Sequence, residues 1–143
     1  MRAFSRLVPE LACADLDRSL RFYCDILGAT VLYDRPEEGF AFMELQGAQF
    51  MLDRLENAWL TGSMEPPLGR GVNFQIEVVS VSDLSLRLAD AGVATFLGPQ
   101  TRWYRDGGVE HGQVQLLVQD PDGYLLRFAQ SLGARAVCSD PAD

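Results

Sequence analysis

The sequence predicts an α+β fold in which one β-α-β-β-β unit is used twice. Three observations carry that expectation: two helical stripes share one grammar, strand-like runs are placed the same way around each, and a breaker-rich segment divides the halves. The first strand is read in "RLVPELAC". In the stretch that follows, "ADLDRSLRFYCDILGAT", Leu16, Leu20, Tyr23 and Leu27 are spaced 4, 3 and 4, one stripe of an amphipathic helix. Asp15 is placed to cap its start, and Gly28 to end it in a left-handed turn. Three strand-like runs complete the unit: "TVLYDR", "GFAFMEL" and "GAQFMLDR".

The second unit repeats the order. "GVNFQIEVV" reads as a strand, with Val72, Phe74, Ile76 and Val78 on one face and Asn73, Gln75 and Glu77 on the other. In "VSVSDLSLRLADAGVAT", Val81, Leu84, Leu88 and Ala91 are spaced 3, 4 and 3, with Ser80 or Ser82 as cap and Gly92 as stop. "ATFLGP", "GQVQLLVQ" and "GYLLRFAQ" follow as strands. In the last of these Tyr124, Leu126 and Phe128 share one face, and Leu125 and Arg127 the other. The expected organisation is a single domain over 1–143, with modules at 6–55 and 70–130, a Gly- and Pro-containing linker at 56–69, and a flexible tail at 131–143 that lacks an apolar period.

Composition narrows the function. Of 143 residues 48% are apolar, enough for a core, and the formal net charge of -8 repels phosphate backbones and anionic membranes. Neither nucleic acid nor a membrane is an expected partner. The three cysteines, Cys13, Cys24 and Cys138, have no CxxC spacing and read as reduced thiols of a cytoplasmic chain. No apolar run approaches a membrane-spanning length, and the first residues lack a signal-peptide core.

With "DLDRSLRFYCDILG" early and "DPDGYLLRF" late in the duplicated layout, the chain resembles the vicinal oxygen chelate superfamily, which includes glyoxalase I, extradiol dioxygenases and bleomycin resistance proteins. The resemblance covers roughly Arg6 to Gln130, and "YDRPEEGFAFMELQGAQFMLD" with "RWYRDGGVEHGQVQLLVQDPDGYLLRF" looks most like the bleomycin resistance branch. It implies that each module curls its sheet into a cup, that the cups form a barrel-like mixed sheet with helices outside, and that a cleft is completed in many members by a homodimer.

Metal-dependent members place His, Gln or Glu at four equivalent strand positions, which fall here on Val8, Met51, Asn73 and Arg127. Val8 has no donor atom, Met51 offers only a thioether and Arg127 is a permanent cation, so no metal, cofactor or catalytic residue is expected at this place. No nucleophile motif, P-loop or paired Cys and His stands in for the metal. The expected function is small-molecule binding of the bleomycin resistance type, with a bulky ligand, cationic and aromatic groups among the candidates, sequestered without conversion by a homodimer.

The expected ligand-binding residues are Glu10, Phe40, Phe42, Met51, Trp59, Asn73, Gln75, Glu77, Trp103, Tyr104, His111 and Arg127. Arg127 requires a counter-ion, either Glu10 or Glu77 or an anionic group of the ligand. Two alternatives stand beside this reading. One is a metal-dependent glyoxalase- or dioxygenase-like enzyme with a displaced site drawn from Glu10, Asn73, Glu77 and His111. The other is a non-catalytic dimeric module whose cleft is filled by its own side chains.

Overall fold

Alternation and capping act locally as expected in most elements of the computed structural model, which describes residues 3–137. The first module comprises β1 (Glu10–Cys13), α1 (Leu16–Leu20), β2 (Thr30–Arg35), β3 (Phe40–Leu45) and β4 (Ala48–Arg54). The second comprises β5 (Asn73–Glu77), α2 (Val81–Asp90), β6 (Leu97–Asp106), β7 (Val109–Gln119) and β8 (Leu125–Ala136). Asp15 caps α1 by accepting from the Arg18 N–H, and Ser80, rather than Ser82, caps α2 by accepting from the Asp83 N–H at 3.1 Å. Gly28 and Gly92 follow the helices at φ of 82° and 73°, the left-handed conformation that the stop positions require. Ser80→Ala is expected to lower stability by about 1 kcal/mol in urea unfolding, the usual worth of such a cap.

The α-helical part of α1 is short and runs directly into a π-helical turn, Arg21–Ile26. The wider winding rotates the downstream face. Ser19, Phe22, Tyr23 and Leu27 are buried, whereas Leu16 and Leu20 of the expected stripe are only half-buried. In α2 the stripe holds at Val81, Leu84 and Leu88, which are inside, whereas Ala91 is the exposed C-cap.

Each module forms a four-stranded mixed sheet, in the orders β1-β4-β3-β2 and β5-β8-β7-β6. β1 runs parallel to β4 and β5 parallel to β8, and the remaining pairs are antiparallel. No barrel closes. The two sheets share one apolar core, which draws Leu11, Tyr23, Met43 and Leu52 from the first module and Leu88, Leu116, Leu126 and Phe128 from the second.

Hydrogen bonds between the modules are reciprocal. The 120–123 turn of the second module grips the first: Asp122 Oδ1 accepts from the Ala14 N–H at 3.0 Å, the Tyr23 hydroxyl donates to Asp120 Oδ2 at 2.7 Å, and Arg18 donates to the Pro121 carbonyl at 2.6 Å. The Tyr124 hydroxyl reaches the Ala12 carbonyl at 2.9 Å. From the first module, Gln46 Oε1 accepts from the Val79 N–H at 2.8 Å, just before α2. Each β-turn thus reaches the backbone at or before the other module's helix, and "DPDG", read as a local turn, is also an intermodule clasp.

Several boundaries differ from expectation. β1 starts only at Glu10, because residues 3–9 run instead as an arm tied to Gln49, which accepts from the Ser5 N–H and donates to the Ala3 carbonyl. β6 covers Leu97–Asp106 rather than "ATFLGP" alone, with a register shift between Leu97 and Gln100. Residues Ser131 to Ala136 of the expected tail continue β8, paired with Gln113 through Val109 of β7. Their side chains are exposed, so backbone pairing orders this stretch without leaving an apolar period to read. Cys138 lies outside the described residues. Burial pushes the Cys13 thiol up to about 12, which keeps it protonated, and both Cys13 and Cys24 are free. No helix among the described residues is long and apolar enough to cross a membrane.

Candidate functional site

Strand register sorts the expected site residues into two faces related by the repeat. In the first module Glu10 lies opposite Met51, which lies opposite Phe42, which lies opposite Tyr33, so all four side chains share the face away from the core. The next row on that face is Ala12, Asp53, Phe40 and Arg35. In the second module Gln75 lies opposite Arg127, which lies opposite Leu117, with Asn73, Glu77 and Leu125 on the same face by alternation. Glu10 with Met51 and Gln75 with Arg127 are therefore equivalent pairs of the two modules.

The first face is aromatic and acidic. Tyr33 stacks on Phe42 with ring centroids 5.1 Å apart, Phe4 of the arm meets Phe42 edge-on at 5.1 Å, and the Arg35 guanidinium lies 4.0 Å from the Phe40 ring centre. Phe40 and Phe42 are consequently buried among their own neighbours rather than open to a ligand. Beside them a hollow of about 530 Å³ is lined by Glu10, Arg35, Asp53, Phe40, Asn57 and Trp59. Partial burial, then the adjoining Asp53 carboxylate, raise the Glu10 carboxyl above its ordinary range, against the opposing pull of Arg35. Trp59 is 95% exposed, an indole with no packing role in the single chain.

The second face is polar and basic. Asn73, Gln75 and Glu77 are exposed as alternation predicts, whereas Arg127 is half-buried. Gln115 is buried, and its Oε1 accepts from both the Tyr104 hydroxyl at 2.8 Å and the Gln113 side chain at 2.9 Å. A cavity of about 360 Å³ opens between the modules, lined by Leu7, Pro9 and Gln49 on one side and by Asn73, Phe74 and Gln75 on the other.

Of the expected aromatic pair in β6, Tyr104 reaches the second face through Gln115 and Trp103 stands apart from it. Trp103 lies opposite Gly112 and covers it, while Arg135 sits 3.7 Å from its ring centre; Tyr104 lies opposite His111. Consecutive strand residues point to opposite faces, so Trp103 cannot share a ligand platform with Tyr104. His111 pairs with Asp106 at 2.9 Å on the exposed β6–β7 ribbon. Polar and aromatic side chains outside the expected set also belong to the two faces, Tyr33, Arg35, Asp53 and Gln115 among them. Asp53 was legible as the residue two beyond Met51; the other three required the pairing of β2 with β3 and of β6 with β7.

The four positions that the resemblance assigns to metal ligands carry residues that do not fit a metal. Val8 precedes β1 and offers no donor, Met51 is a thioether, Asn73 a single amide, and Arg127 a cation. Nor do the displaced candidates gather: no group of three His, Cys, Asp or Glu side chains among the described residues is arranged to hold a metal ion.

Comparison with known proteins places these features. The chain is 26% identical over 138 residues to a bleomycin resistance protein of Geobacillus stearothermophilus, a match covering 87% of this chain and 96% of that one. It is 30% identical over 124 residues to a probable lactoylglutathione lyase of Synechocystis sp., covering 82% and 88% respectively. Among solved structures, an integron cassette protein from the mobile metagenome of V. cholerae superposes with a TM-score of 0.65 at 23% identity, over 91% of this chain and 98% of the other. A protein of unknown function from Agrobacterium tumefaciens gives 0.65 at 25% identity, over 92% and 98%. The model of the Glyoxalase/Bleomycin resistance protein/Dioxygenase superfamily matches residues 5–128, and with its two β-α-β-β-β modules the chain belongs to that superfamily.

Proposed function

We propose that this chain is a metal-independent small-molecule binding protein of the bleomycin resistance type, a cytoplasmic homodimer that sequesters a bulky ligand without converting it. The observation that carries the reading is the residue set Val8, Met51, Asn73 and Arg127 at the four positions where metal-dependent members of the superfamily hold their ion. The first-module hollow supports it, since Glu10 and Asp53 attract cationic groups while the exposed Trp59 offers π surface to a flat one. The match to bleomycin resistance proteins over nearly their whole length points the same way. Bleomycin titrated into the purified protein is expected to bind saturably and to change the fluorescence of Trp59, which borders the hollow. No heat and no fluorescence change at high micromolar bleomycin would remove this assignment.

The similarity to a probable lactoylglutathione lyase favours a second reading, a metal-dependent enzyme with a displaced site. Elemental analysis of protein purified without chelator separates the two. A stoichiometric transition metal that is lost on His111→Ala supports the enzyme.

A further inference from the structure

We propose that Arg127 is the anchor for a carboxylate carried by the bound small molecule, an inference that rests on the binding reading above and names the ligand's anionic part. Arg127 sits in the interior of the second sheet, between Gln75 of β5 and Leu117 of β7. Its Nε is buried and has no hydrogen-bond partner among the described residues. The ion pairs among those residues are Arg35 with Glu38, His111 with Asp106 and Arg135 with Glu110. Neither Glu10 nor Glu77 therefore neutralises Arg127. Glu77 shares its face but lies opposite Ala129, two pairs further along.

A half-buried guanidinium with an unpaired inner N–H is costly in the free protein and becomes favourable when an acceptor arrives. The guanidinium edge made of Nε and one Nη matches the two oxygens of a planar carboxylate, which accept in parallel. The surroundings select a single negative charge. Gln75 and Asn73 add neutral amide donors on the same face, while Glu77 and the net charge of -8 disfavour a dianion such as a phosphate monoester.

The test uses three probes on the full chain: 2-naphthoate, 2-naphthamide and 2-naphthyl phosphate, followed by calorimetry and by the arginine Nε–H signals in nitrogen-edited NMR. The expected result is that 2-naphthoate binds tighter than 2-naphthamide by about tenfold and shifts the Arg127 Nε–H signal. Arg127→Gln abolishes the preference, and Arg127→Lys, which keeps the charge without the fork, retains only a small part of it. Amide spectra of both variants verify the fold. Equal binding of acid and amide by the wild type overturns the proposal, as does an undiminished preference in Arg127→Gln, or binding of the phosphate without the carboxylate. Failure of the binding reading itself has a different signature: bleomycin and all three probes leave the wild type untouched, which overturns both.

Discussion

Asp120→Ala is expected to lower the unfolding free energy by about 3–5 kcal/mol, the range for breaking a buried polar network. One carboxylate serves three donors: the Tyr23 hydroxyl at 2.7 Å on Oδ2, and the Asp122 and Tyr124 backbone N–H groups at 2.9 Å on Oδ1. Tyr23 is fully buried in the common core, so truncation leaves its hydroxyl without the acceptor and loosens the clasp between modules. Urea unfolding at neutral pH measures the effect, and a loss under about 1 kcal/mol would refute the clasp's importance.

The same group sets a pH dependence. Burial pushes the Asp120 carboxyl up to about 6 from 3.8, outweighing the three hydrogen bonds that favour its charged form. Because the folded state holds this proton more tightly than the unfolded chain, the stability it contributes is fully present below about pH 4 and lost as pH rises through about 6. The difference of 6 minus 3.8 corresponds to on the order of 3 kcal/mol. Asp120→Asn lacks this titration, so the stability advantage of the wild type over the variant is expected to shrink from pH 4 to pH 8 by that order. Paired urea curves at the two pH values check it, and a constant gap would refute it.

Arg127→Met is expected to move stability and binding in opposite directions. Removing a buried N–H that has no partner among the described residues raises the unfolding free energy by about 1 kcal/mol, since methionine keeps most of the apolar stem between Gln75 and Leu117. The same change removes the preference for 2-naphthoate over its amide, about tenfold in affinity. A residue that serves only the fold would lose stability when truncated. Thermal unfolding of the free proteins, beside the probe titrations, separates the roles, and a variant that is both less stable and unchanged in binding would assign Arg127 to packing.

The repeat, the helix caps at Asp15 and Ser80, and the polar run Asn73, Gln75 and Glu77 were legible because each depends on residues within a turn or two of one another. The surroundings of the aromatic residues are less so. Phe40 and Phe42 were placed on the correct face by alternation, yet Phe4 of the amino-terminal arm and Tyr33 of β2 cover Phe42, and no local pattern connects those positions. Trp103 and Tyr104 are neighbours in the sequence, but β6 extends through them and the pleat sends their side chains to opposite faces.

The sequence by itself determined which units form and which chemistry each strand can show: two β-α-β-β-β modules, and at Val8, Met51, Asn73 and Arg127 an apolar side chain, a thioether, an amide and a guanidinium. Period and capping are short-range properties, so local order suffices to express them. Only the tertiary structure decided that Arg127 has neither Glu10 nor Glu77 as counter-ion, and that Asp120 and Asp122 join the modules. Those outcomes depend on strand register, which sets Glu77 two pairs away from Arg127, and on contacts about a hundred residues apart in the chain, none of which a local pattern encodes.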